Sequence, residues 1–143
     1  WGMIFERIWY LSHAHKEYVS DLANKWNSRK DKKSWYALQI REKMMSQAKI
    51  EINKNISIIQ TCIVLAPLLG LLGTVTGMIE VFQVMAFNGG GDARAMAGGV
   101  SKATLPTMAG MVAALSGSFA AIYLTSTSKR HESELNEIIK REI

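Results

Sequence analysis

Two stretches of the chain carry no charged side chain. Asn55–Ile79 runs for 25 residues without Asp, Glu, Lys or Arg, and Ala103–Ser128 runs for 26 more. The hydrocarbon core of a bilayer takes about 20 mostly apolar helical residues, and both stretches exceed that length. A helix at the surface of a soluble bundle shows a charged face within any two turns, and neither stretch does. The pattern therefore predicts an all-α chain with two membrane-spanning helices, over 55–87 and 96–128, paired as a hairpin through a loop over 88–95.

The flanks read differently. Residues 12–54 are charged, and from Ser12 to Asn53 there is neither Pro nor Gly, which suits helix; a break is expected near Asn27–Asp31. Trp35, Leu38, Met45, Ile52, Ile56 and Ile59 recur at intervals of three, four or seven. That spacing predicts one amphipathic helix running straight into the first charge-free span. Residues 1–11 are apolar apart from Glu6 and Arg7, and Trp1, Trp9 and Tyr10 suit a membrane interface. They read as the cytoplasmic end of a preceding span. Residues 129–143 read as a charged helix that prolongs the last span, with Leu135, Ile138 and Ile139 on one face.

Composition alone would mislead. A chain of 143 residues with a net charge of +5 and a mean hydropathy of +0.05 looks like one mildly basic soluble domain. Position changes that picture. Residues 1–54 hold 11 basic and 6 acidic side chains, an excess equal to the whole net charge, and basic and acidic residues balance elsewhere. Basic residues concentrate on the cytoplasmic side of membrane proteins. The N-terminal region and the tail, which opens on Lys129 and Arg130, are accordingly assigned to the cytoplasm of a multi-pass inner-membrane protein. The cluster Arg29–Lys33 belongs to the same topology signal. No basic stripe with interleaved aromatics stands apart from it, so nucleic acid is not an expected partner.

Other chemistry is thin. A single cysteine, Cys62, excludes a disulfide framework and a cysteine-cluster metal site, and it reads as a packing residue. His13 and His15 are two apart, which points them to different sides of a helix, and they read as solvated. The glycine run in Asn88–Asp92 has no following Lys-Ser/Thr and no preceding strand, so it is a turn and not a phosphate loop. Nothing pairs a nucleophile with a base. No enzyme, metal or cofactor is expected.

Small residues supply the positive signal. In the first span Ala66, Gly70, Gly73 and Gly77 follow each other by four, three and four, and Glu80 continues the series. In the second, Ala103, Thr107, Gly110, Ala114, Gly117 and Ala121 do the same. Such a repeat lets helix backbones approach closely in a left-handed bundle. A second small stripe, Ala109, Ala113, Ser116 and Ala120, lies beside the first and implies more than one neighbour, hence an oligomer. Pro67 and Pro106 each remove a backbone donor, and Thr74 and Thr107 lie near them in sequence, so a hydrated track is expected there. Glu80 and Lys102 are the ionisable residues at the margins of the spans. They are candidates for an electrostatic role or for snorkelling to the interface.

At Ala66-Pro-Leu-Leu-Gly-Leu-Leu-Gly-Thr-Val-Thr-Gly-Met78, and again at Ala97-Gly-Gly-Val-Ser-Lys-Ala-Thr-Leu-Pro-Thr-Met-Ala-Gly-Met-Val-Ala-Ala-Leu115, the sequence resembles the ExbB/TolQ/MotA family of proton-channel proteins. Phe5–Leu11 looks like the family's first-span exit. The resemblance implies a homo-pentamer of three-span subunits around the single spans of an ExbD-like partner. Protons are the coupling ion, and the work reaches a TonB-like protein that opens outer-membrane import of siderophores and cobalamin-like cargo. The family's two pore-lining threonines fall on Thr74 and Thr107. Ser34–Lys43 and the short cytoplasmic regions look most like a compact ExbB, ahead of a TolQ-like or MotA-like stator. A non-conducting membrane scaffold is the alternative of a different class. The chain departs from the pattern at Lys102, where ExbB proteins commonly carry a glutamate, and at Pro106, where many members have a small residue.

Overall fold

The computed structural model describes residues 1–90 and 92–140, so Gly91 of the expected loop and the last three residues of the expected tail helix lie outside the described residues. Every described element is helical: α1 (Gly2–Trp9), a π-helical turn (Tyr10–Ala14), α2 (His15–Asn27), α3 (Trp35–Ile52), α4 (Ile56–Phe87) and α5 (Ala93–Lys140). The chain divides into two compact units, one of residues 1–59 with 120–143 and one of residues 60–119.

The first unit is a helical base. Its core joins Leu22 and Trp26 of α2, Met45 and Ala48 of α3, and Leu135 and Ile139 of α5. The expected break after Asn27 is built by side chains. Asp31 Oδ1 accepts from the N–H groups of Lys33 and Ser34, and Ser34 Oγ accepts from Tyr36 N–H as the N-cap of α3.

A second break departs from the predicted pattern. α3 ends at Ile52 and α4 starts at Ile56, so the amphipathic stretch does not run unbroken into the span. Asn55 takes a left-handed conformation, φ 65°, which asparagine tolerates better than most residues. Ending a helix strands its last carbonyls. Arg7, almost fully buried, donates from its guanidinium to the carbonyls of both Glu51 and Ile52. A cation there also complements the negative end of the helix dipole. Losing it would leave buried acceptors unpaired, at a cost of about 1–3 kcal/mol each. The neighbouring Glu6 is a lesser partner, 4.0 Å away and half exposed. The apolar stripe is also shorter than predicted: Met45, Ile52, Ile56 and Ile59 are buried, but Trp35 and Leu38 are exposed. In the tail helix Leu135 and Ile139 are buried, whereas Ile138 is exposed.

One of the two histidines also differs from expectation. His13 is exposed and stacks on Trp9, but His15 is buried against His131 with ring centroids 4.5 Å apart. Arg7, Tyr10 and Glu134 are the other titratable groups facing it. Burial, and then His131, hold the His15 imidazole below its usual range. The unfolded chain therefore binds this proton more readily than the folded one. The resulting stabilisation is complete above about pH 6.5 and is lost as pH falls from there through the lowered folded value. Fluorescence-monitored melting in detergent should show the melting temperature falling below about pH 6.5. The slope should flatten in His15→Gln; an equal slope in that variant would assign the effect elsewhere.

The second unit holds the paired apolar parts of α4 and α5. Its turn is made by Gly89 and Gly90, both at positive φ (71° and 78°), with Gly90 N–H bonding Met85 O across the end of α4 at 3.1 Å. Asp92 Oδ1 accepts from Arg94 N–H at 3.0 Å and caps α5. That cap is why α5 starts at Ala93, earlier than a loop over 88–95 implies. Only 6% and 17% of the most apolar windows of the two long helices are buried by the chain itself. Helices of a soluble core would be mostly buried, so these surfaces are built for a non-aqueous neighbour. Leu68, Leu72, Met111, Leu115 and Phe119 are among the exposed side chains, and Cys62 is exposed as well.

Candidate functional site

The small residues bring α4 and α5 to backbone contact. A Cβ placed on Gly70 would lie 2.7 Å from Pro106 O and 3.1 Å from Thr107 Cα, and one on Gly110 would lie 2.6 Å from Ala66 O. One on Gly77 would lie 2.9 Å from the Ala103 methyl. At Gly117 the neighbour is looser, the Ile63 side chain at 3.1 Å, and Ala114 is half buried between Gly110 and Gly117 in sequence. Pro106 does more than sequence reasoning assigns it. Beyond the lost donor, its ring fills the notch over Gly73, 2.6 Å from where a Cβ would stand. Gly99 likewise admits the Val81 side chain, and the only trace of that contact in the sequence is the glycine itself.

This close approach places the two threonines. Thr74 sits one turn after Gly70 on α4, and Thr107 follows Pro106 on α5. Their hydroxyls are hydrogen-bonded to each other. Each also lies within reach of one carbonyl, Gly70 O, at 3.2 Å from Thr74 Oγ1 and 3.4 Å from Thr107 Oγ1. Two hydroxyl protons are thus spread over one carbonyl and two hydroxyl oxygens, which leaves acceptor capacity for water. Thr76 and Thr104 behave more locally and bond back to their own helices. The Thr74–Thr107 pair instead joins hydroxyls across the two spans.

A groove of about 320 Å³ lies between α4 and α5 on the side of their turn. Gly73, Gly77, Ala103 and Pro106 line its inner end, and Asn88, Gly90 and Asp92 its end at the turn. Glu80 and Lys102 both line it. The two ionisable residues therefore share one cleft and are not scattered over the lipid-facing surface. A proline also frees the carbonyl four residues earlier, which for Pro106 is that of Lys102 in the same groove. The groove thus gathers a freed carbonyl, a carboxylate and an ammonium, while Thr74 and Thr107 do not line it and only their neighbours Gly73 and Pro106 do. Among the described residues no group of three or more His, Cys, Asp or Glu is placed to hold a metal ion.

Comparison with known proteins bears on the chain as a whole. The profile described as the MotA/TolQ/ExbB proton channel family matches residues 12–137. The putative biopolymer transport protein ExbB-like 1 of Synechocystis sp. is 48% identical over 61 residues, which cover 41% of this chain and 24% of that protein. An ExbB-like 3 protein of the same organism is 36% identical over 73 residues, 49% of this chain and 35% of the relative. The biopolymer transport protein ExbB of Helicobacter pylori is 36% identical over 66 residues, 46% of each. The chain thus spans less than half the length of each of these relatives. No solved structure matches.

Proposed function

The chain belongs to the MotA/TolQ/ExbB proton channel family, and from that premise we propose that it is the channel-forming subunit of an ExbB–ExbD-type motor in the bacterial inner membrane. It is a membrane protein of a transport family, not of an enzyme class. In the proposed arrangement the basic N-terminal region and the tail are cytoplasmic, as the distribution of Lys and Arg supports. The turn at Asn88–Asp92 then faces outward. Five copies surround the single spans of an ExbD-like partner, and protons entering beside Glu80 and Lys102 pass the threonine pair. The motion this drives is delivered to a TonB-like protein that opens outer-membrane import. No cofactor takes part, and the coupling ion is the proton.

The observation that carries this reading is the Thr74–Thr107 hydroxyl pair held on the Gly70 carbonyl at membrane depth. Polar groups in hydrocarbon are costly unless they are paired or line a watered path. Exposure of most of the apolar surface supports an assembly, since two spans cannot enclose a pore alone. Relatives named as ExbB proteins favour that branch over a TolQ-like or MotA-like one.

Proton flux separates a channel from a non-conducting scaffold. Liposomes holding the chain with its single-span partner should acidify under an imposed pH gradient faster than protein-free liposomes. Equal rates would leave the scaffold reading standing and end this one.

A further inference from the structure

The base holds a polar cavity of its own, remote in sequence from the threonines. About 250 Å³ in volume, it opens between the start of α2 and the stretch of α5 where charge resumes after the last span. Lys16, Arg130 and His131 line it, with the hydroxyl-bearing Ser12 and Thr127. Its remaining wall is largely apolar and includes Leu11 and Leu124, both nearly fully buried. No Asp or Glu lines it, although Glu6, Glu17, Glu132 and Glu134 are close in sequence. Another cavity of the base contrasts with it, since Arg41 and Lys49 there stand beside Glu42.

Three features define the ligand. Two fixed cations from different helices, with a histidine, call for an anion. The Thr127 hydroxyl suits its oxygens, whereas Ser12 Oγ donates to Ile8 O of its own helical stretch. The apolar wall calls for hydrocarbon on the same molecule. Thr127 and Ser128 are also the last residues before Lys129 and Arg130 end the charge-free stretch, which sets the cavity at the membrane boundary. Basic pockets of this kind at the ends of membrane helices hold anionic lipid head groups.

We propose that this cavity binds the phosphate of an anionic phospholipid between Lys16 and Arg130, with its acyl chains leaving along the apolar wall. Glu134 acts against it. Its carboxylate lies 3.8 Å from Arg130 Nε and 3.5 Å from His131 Nδ1, yet it does not line the cavity. The bound phosphate competes with that carboxylate for Arg130. The site is independent of proton conduction and is read without it.

The test uses the full chain, extracted in detergent, stripped of lipid and titrated with phosphatidylglycerol or phosphatidylcholine of identical acyl chains. Native mass spectrometry reads occupancy. A cation near an anionic membrane surface is worth about a fivefold change in affinity, and two together about thirtyfold. Phosphatidylglycerol should be preferred by about that factor. Lys16→Gln and Arg130→Gln should each weaken its binding about fivefold, and the double variant should erase the preference. Lys16→Arg should keep it, and Glu134→Gln should strengthen binding. Equal affinity for the two lipids, or a preference that survives the double variant, overturns the proposal. Displacement of phosphatidylglycerol by inorganic phosphate at matched concentration overturns the lipid assignment, because it would show a site that needs no acyl chain. Lys16 and Arg130 are exposed, so their replacement should leave the melting temperature unchanged.

Discussion

Thr74→Val and Thr107→Val should each cut proton flux through the reconstituted assembly by about thirtyfold or more while leaving the assembly intact. Valine keeps the shape of threonine and removes the hydroxyl. In the wild type the two hydroxyls serve each other and the Gly70 carbonyl. With one gone, water or a proton passing that level loses a partner in an apolar setting. An unpaired polar group there costs about 2 kcal/mol, and roughly 1.4 kcal/mol is a factor of ten in rate. Packing energy changes little, because hydrogen bonds between membrane helices average only about 0.6 kcal/mol. The two effects therefore separate: flux falls and thermal stability does not. Thr76→Val is the matched control, since its hydroxyl bonds back to Leu72 and Gly73 of its own helix. Wild-type flux in both variants would remove the threonine pair from the pathway.

The second large effect is on stability. Gly70→Ala and Gly110→Ala should each lower the melting temperature in detergent by more than about 8 °C, from a loss of at least about 2 kcal/mol. The added methyl group would stand 2.7 Å from Pro106 O in one case and 2.6 Å from Ala66 O in the other. Both obstacles are backbone, so α4 and α5 have to move apart along the contact. Gly98→Ala tests whether any glycine-to-alanine change would do the same. Nothing lies within 4 Å of a Cβ there, and alanine favours helix by about 0.5–1 kcal/mol. Melting of Gly70→Ala at the wild-type temperature would mean that the spans are not packed through this seam.

These two sites show which features a linear chain announces. Backbone contact between helices demands small residues at a fixed period, so Ala66, Gly70, Gly73, Gly77 and Gly110 stand out in the sequence by their spacing alone. The spans are legible for a similar reason, since a charge inside hydrocarbon is too costly to be scattered there. Features that depend on one distant partner leave no such trace. The break at Asn53–Asn55 is held by Arg7, 45 residues away from Ile52, and no local pattern announces that guanidinium. His15 looks solvated because the residue that buries it, His131, lies on another helix at the far end of the chain. Pro106 carries two roles, and only the loss of its N–H follows from its chemistry. That its ring would meet Gly73 depends on helix register.

The glycine contacts also bear on how such a seam can drift over generations. At Gly70 and Gly110 the opposing atoms are main chain, which no second substitution can shrink. A replacement there has no partner to rescue it, so these positions should stay fixed without correlating with any other. Gly73 faces the Pro106 ring and Gly99 faces the Val81 side chain. There a gain of volume on one helix can be offset by a loss on the other. Correlated change is thus expected at Gly73 with Pro106 and Gly99 with Val81, and likewise at Gly77 with Ala103 and Gly117 with Ile63. Gly73 is the notch that accommodates the Pro106 ring.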